Sequence, residues 1–154
     1  MKACYGYEFL AGADVMLNLK ESKSFSRRYP LPNPVRSVFH FDDGDLYVDT
    51  NPGFIFDGRS GSPLLDWYVP NLGNLDEREM WRMHDALGYA QSLGFKETNL
   101  ALKIVARDIC GYRKTKAEAI RIAVSLSRSW YGRPKPTDWC YANLGLVETT
   151  WKSR

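Results

Sequence analysis

Long apolar runs are missing from this sequence. No window of the 154 residues holds the 18 or so consecutive apolar residues of a membrane span. A membrane partner is therefore not expected. The first residues, Met1 to Glu8, carry too little apolar character for a signal peptide, and Asp14 interrupts the next stretch. Cysteine is scarce: Cys4, Cys110 and Cys140 are odd in number, and none has CxxC spacing. That excludes a disulfide framework or a zinc ribbon and leaves free thiols in a reducing cytosol as the expectation. Histidine is scarcer, with only His40 and His84. A metal phosphohydrolase needs more, so no metal and no cofactor is expected. Charge of one sign is also lacking. The net charge of +3 and the pI near 8.7 fall well short of a nucleic-acid-binding signature, and nucleic acid is not an expected partner.

What the chain does have is a core and many rings. Its hydrophobic fraction is 44% and its aromatic fraction 14%, which excludes a disordered chain. The length suits a single domain spanning 1–154. Val15 to Leu19 reads as a short strand. Residues 22–36 form a polar, proline-rich connector, and Pro30, Pro32 and Pro34 forbid helix there. This is either a surface crossover or a docking arm. Ser37 to Phe41 and Asp45 to Asp49 alternate on either side of Asp42-Asp43-Gly44. That is a β-hairpin, with Gly44 free to take a positive φ. Phe54-Ile55-Phe56 follows as a third short strand.

Residues 57–76 read as a loop. It is rich in glycine but lacks the lysine and spacing of a phosphate-binding loop. Its later part, from Leu64 to Val69, would pack down as a cover. Three helices are then predicted. The first has Asp76 and Glu79 as a capping box, carries Met80, Met83, His84 and Leu87 inward, and ends at Gly94. The second covers Glu97 to Cys110, with Leu100, Leu102, Ile104, Val105 and Ile109 inward and Gly111 as its stop. The third runs from Lys114 to Trp130 behind a Thr115/Glu118 capping box. Strands followed by helices give an α+β fold: a small antiparallel sheet (hairpin 37–49 plus strand 53–56) packed against three C-terminal helices. The tail, 133–154, is aromatic through Trp139, Tyr141 and Trp151. It either packs back on the body or docks a neighbour, as Pro30, Pro32 and Pro34 could.

The candidate site joins two stretches, Gly53 to Ser60 and Met83 to Tyr89. Asp57, Ser60, His84 and Asp85 supply acid, base and hydroxyl, enough for a small hydrolase with His84 as base. No G-x-S-x-G elbow surrounds Ser60. The competing reading is a buried polar knot of Asp57, Ser60, His84, Asp85, Tyr89 and Asn99 that pins the loop to the helices.

The order Gly53-Phe54, Asp57-Gly58, Ser60, Pro63, then His84-Asp85, Leu87 and Tyr89, with Asn99 opening the second helix, resembles a family of small proteins of unknown function. That family is widespread in tailed phages and prophages. The likeness covers roughly residues 37–132. The chain departs from the family pattern at Phe56, where Thr is usual, and at Asn99, where Asp is usual. The resemblance implies a phage context and no particular reaction. It leads to a phage structural or assembly protein, tail- or connector-associated, with other virion proteins as partners in a symmetric assembly. Such a protein would be made in the host cytoplasm and end in the virion.

Overall fold

In a computed structural model, residues 3–12, 19–23, 28–56, 73–90, 92–126 and 145–154 are described. The order is β1 (Cys4–Ala11), β2 (Tyr29–Pro30), β3 (Val35–Phe41), β4 (Gly44–Thr50), β5 (Ile55–Phe56), α1 (Leu75–Ala90), α2 (Phe95–Asp108), α3 (Lys114–Leu126) and β6 (Val147–Ser153). The fold is α+β.

Alternation builds the sheet. On β3, Val35, Ser37, Phe39 and Phe41 turn to one face, and on β4 Leu46, Val48 and Thr50 join them in register. A β-strand gives consecutive side chains to opposite faces, so this parity makes one dry face for the helices. The hairpin is as the sequence predicts, extended by two residues at its start and one at its end. The main sheet has the order β1-β3-β4-β6, antiparallel throughout. β1 and β6 complete it from the two ends of the sequence. The strand at 53–56 differs from expectation. Only Ile55 and Phe56 are extended, and they pair with Tyr29 and Pro30 in a separate two-stranded sheet.

That pairing also ties the later part of the proline-rich connector to the body. Leu31 N–H donates to Phe54 O and Gly53 N–H to Leu31 O, both at 2.8 Å. Leu31 is buried, Pro30 is half-buried, and Pro32 and Pro34 are exposed. Residues 28–34 are thus a crossover stitched to the body.

The helices form from capped amphipathic segments, with two caps shifted from the predicted ones. Asn74 caps α1: Glu77 N–H donates to Asn74 Oδ1 at 3.0 Å and Asn74 N–H to Glu77 Oε1 at 3.2 Å. This reciprocal box displaces the expected Asp76/Glu79 pair and frees Glu79 for the interior. Gly94 begins α2 in extended conformation rather than ending α1. Gly111, at φ +65°, does end the turn after α2. Thr115 lies inside the first turn of α3, and Glu118 pairs with Arg121 and with Lys103 of α2. α1 lies on the sheet, α2 flanks α1 and β1, and α3 packs on α2. Phe39, Phe54, Phe56, Met80, Met83, Leu87, Leu102, Val105 and Ile120 lie in one core cluster. Leu100, expected inward, is exposed. Gly44 has no positive φ. A Cβ there would stand 2.4 Å from Lys152 O and 2.6 Å from Trp151 Cζ2, so the glycine is needed for the close approach of β6.

The described part of the tail is strand β6. Trp151 is half-buried and meets Phe41 edge-on, ring centroids 5.5 Å apart. Its ring docks on its own chain. Trp139 and Tyr141, Asp57 and Ser60, residues 15–18 of the expected Val15–Leu19 strand and the Leu64–Val69 cover lie outside the described residues.

Candidate functional site

The polar centre of the body lies under the sheet, between β1, β3, β4 and α1. Three polar side chains occupy the dry face: Tyr7, Ser37 and Thr50. Helix α1 lowers Glu79 and Arg82 onto them, one turn apart. Arg82 is fully buried. Its Nε donates to Glu79 Oε2 at 2.6 Å, Nη1 to Thr50 Oγ1 at 2.7 Å, and Nη2 to Ser37 Oγ at 2.9 Å. Nη2 also reaches Glu79 Oε1, which accepts from Ser37 Oγ at 3.0 Å and from the Tyr7 hydroxyl. Thr50 Oγ1 donates to Val35 O at 3.2 Å.

A buried charge is tolerated only when paired and hydrogen-bonded, and here all three guanidinium nitrogens have acceptors. Burial and the neighbouring Glu79 carboxylate hold the Tyr7 phenol well above its usual range. For Arg82, burial works against the charge, but Glu79 outweighs it and the guanidinium is held more firmly protonated than usual. The group is a closed lock between sheet and helix, out of reach of a substrate.

The predicted cluster is elsewhere on α1. His84 is 8% exposed, and its Nε2 faces Asn99 Oδ1 of α2 at 3.2 Å. Asp85 Oδ1 lies 3.8 Å from His84 Nδ1. Tyr89 packs edge-on against Phe54, centroids 5.9 Å apart. Thus His84, Asp85 and Asn99 come together, Tyr89 joins the neighbouring core, and Asn99 sits one turn inside α2 rather than at its opening. Among the described residues, no group of three His, Cys, Asp or Glu side chains is placed to hold a metal ion. His40, on the outer sheet face, stacks on Tyr5 and meets Asp45 at 2.8 Å and Glu8 at 3.5 Å.

Sequence reasoning overlooks the Tyr7–Ser37–Thr50–Glu79–Arg82 lock, although a signal for it is present. Ser37 and Thr50 share the parity of Val35, Phe39, Leu46 and Val48, which puts hydroxyls on a core-facing strand surface.

An open concavity lies on the other side of α2. Ala3, Cys4 and Phe41 form its floor, and Leu100, Ile104, Arg107, Lys114 and Ala117 are among its walls; its volume is about 520 Å³. That is within the range of small-molecule and side-chain-binding clefts. Lys103 is engaged by Glu118 and Arg107 by Asp108. Cys4 Sγ points to Gly6 O at 3.6 Å, and burial raises the thiol to about 11. No thiolate nucleophile is on offer there. The cleft can hold apolar groups beside the cations Lys103, Arg107 and Lys114 and the Glu97 carboxylate.

No described helix is long and apolar enough to cross a membrane. Comparison of the chain with family models, curated proteins and solved structures finds no match.

Proposed function

We propose that this is a phage-encoded structural or assembly protein, a tail- or connector-associated component of the virion that works by docking to other virion proteins. One observation carries the non-catalytic part of the reading. Among the described residues, the most extensive cluster of charged and hydroxyl groups, Glu79 and Arg82 with Tyr7, Ser37 and Thr50, is sealed and spent on holding α1 to the sheet. Among the described residues the body also presents a largely apolar cleft beside α2, a shape that receives side chains of a partner. The phage context rests on the resemblance carried by the two motifs around Asp57 and His84.

The second reading is a small hydrolase with His84 as base and Asp57, Asp85 and Ser60 around it. The adjacency of His84 and Asp85 favours it. The burial of His84 and its bond to Asn99 count against it, since a general base must reach substrate.

The test is particle composition. Virions assembled from the encoding genome should retain the protein through a density gradient at constant stoichiometry. Particles that are complete and infective without it would overturn the assembly reading. Hydrolytic activity that disappears in His84→Ala while the fold persists would put the enzyme in its place.

A further inference from the structure

We infer that β6 is a self-association edge, pairing antiparallel with β6 of a second copy about a two-fold axis at Thr150. The result is one continuous sheet of eight strands across a dimer. This inference stands on β6 and needs neither the virion reading nor the cleft.

The two edges of the sheet are built differently. β1 is irregular, with register shifts between Cys4 and Gly6 and between Phe9 and Ala11. Two of its backbone groups are also engaged by side chains of α2. Tyr7 N–H donates to Asp108 Oδ2 at 3.1 Å, and Arg107 Nη2 donates to Tyr5 O at 2.9 Å. Bulges and covering side chains are the means by which proteins close an edge to other chains. β6 has neither. Its seven residues pair one for one with β4 from Val147↔Thr50 to Ser153↔Gly44, and among the described residues it pairs with nothing else. A regular strand of this kind presents a ladder of N–H and C=O groups to the next chain.

The sequence of β6 selects the occupant. Folded antiparallel onto itself about Thr150, Val147-Glu148-Thr149-Thr150-Trp151-Lys152-Ser153 sets Glu148 opposite Lys152 of the second copy, and Lys152 opposite its Glu148. Thr149 meets Trp151, Val147 meets Ser153, and Thr150 meets itself. Faces agree as well. Glu148, Thr150 and Lys152 are exposed, while Val147, Thr149 and Trp151 are the half-buried set. Opposite residues in an antiparallel pair share a face, so both charge contacts fall on the wet side.

Within one chain Glu148 is poorly placed. Its register partner is Asp49, a like charge, and among the described residues Glu148 has no ion pair. Lys152 sits 4.6 Å over the Tyr47 ring, held on the outer face. The second copy supplies the cation that Glu148 lacks. An isologous contact of this kind closes on itself and yields a dimer rather than a fibre.

Sedimentation velocity on the whole protein across a concentration series, at low and at moderate salt, tests the inference. The wild type should show a reversible monomer–dimer equilibrium that weakens with salt. Glu148→Lys and Lys152→Glu each place like charges at both symmetric contacts and should weaken the dimer roughly tenfold or more. The double variant, Glu148→Lys with Lys152→Glu, restores opposite charges and should return dimerisation to near the wild-type level. Circular dichroism and the thermal midpoint check that each variant is folded. Glu148→Lys removes a like-charge neighbour from Asp49, so it serves if Lys152→Glu folds poorly. Three results would overturn the inference: a wild type monomeric at every concentration, a dimer indifferent to the single reversals, or a double variant no better than the singles.

Discussion

Replacing Arg82 by Met should cost this protein about 3–5 kcal/mol, because it leaves the Glu79 carboxylate buried without its cation. Met keeps much of the length and apolar stem of arginine, so the loss is electrostatic more than volumetric. Arg82 supplies donors to both Glu79 oxygens, to Ser37 and to Thr50, and no water-exposed route lets Glu79 relax. Against a stability of about 5–15 kcal/mol for a domain, such a loss is a fifth or more of the total. With a urea m-value of about 2 kcal/mol/M, the midpoint falls by roughly 1.5–2.5 M. The double variant Glu79→Met/Arg82→Met should recover most of that. Removing both partners of a buried pair is often neutral, whereas removing one is not. The remaining hydroxyls still have partners: Tyr7 and Ser37 lie 2.8 Å apart and Thr50 keeps Val35 O. Equilibrium urea unfolding followed by tryptophan fluorescence measures all three proteins. An Arg82→Met protein that unfolds within about 1 kcal/mol of the wild type would show that the pair does not hold the core as described. A double variant no more stable than the single one would show the same.

Three further outcomes rest on particular contacts. Hydrogen bonds from Arg121 and then Lys103 hold the Glu118 carboxyl down at about 2, so its contribution to stability is full above the ordinary glutamate value near 4.5 and fades as pH falls toward 2. Acid unfolding of Glu118→Gln should lack that part of the slope, and an unchanged acid limb would count against the pairing. Gly44→Ala should cost about 1–3 kcal/mol by pushing Trp151 and the Lys152 carbonyl aside, visible as a lowered thermal midpoint; a neutral result would mean β6 is not seated as described. Burial lifts the Cys4 thiol to about 11, and burial with the Glu77, Asp76 and Glu79 carboxylates lifts Cys110 to about 12. At pH 8 iodoacetamide should therefore label both about a hundredfold or more slower in the native than in the unfolded protein, read peptide by peptide; equal rates would contradict their burial.

The hairpin and the three helices can be read from the sequence because local physics specifies them. Period-two alternation around Asp42-Asp43-Gly44 and helical spacing from Met80 onward each leave one consistent answer. Strands β1 and β6 cannot be read that way. Their partners lie about 35 and 100 residues away in the chain, and Tyr5-Gly6-Tyr7-Glu8 has no local pattern that names Phe39 or Val38 as neighbours. The cap of α1 lies two residues before the expected one because Asn74-x-x-Glu77 and Asp76-x-x-Glu79 are equally good boxes on paper. Tertiary demand for Glu79 beneath the sheet decides between them. His84 stands out in the sequence for its chemistry and sits beside Asn99. The heavier polar cluster escapes a sequence reading because arginine and glutamate at three-residue spacing ordinarily signal a solvated helix surface, and only the sheet opposite turns Arg82 into an interior residue.

The late position of β6 sets an order on biosynthesis. When a ribosome has delivered β3 and β4, the strand that will lie beside Gly44–Thr50 is still about a hundred codons from emerging. Throughout that interval β4 is itself a bare edge, and the Phe41 ring that Trp151 will later cover faces solvent. The nascent chain thus carries a sticky, half-built sheet until its last described element arrives. Rare-codon pauses before residue 147 would prolong that exposure, and a chaperone that shields extended apolar segments would act most usefully in the same window.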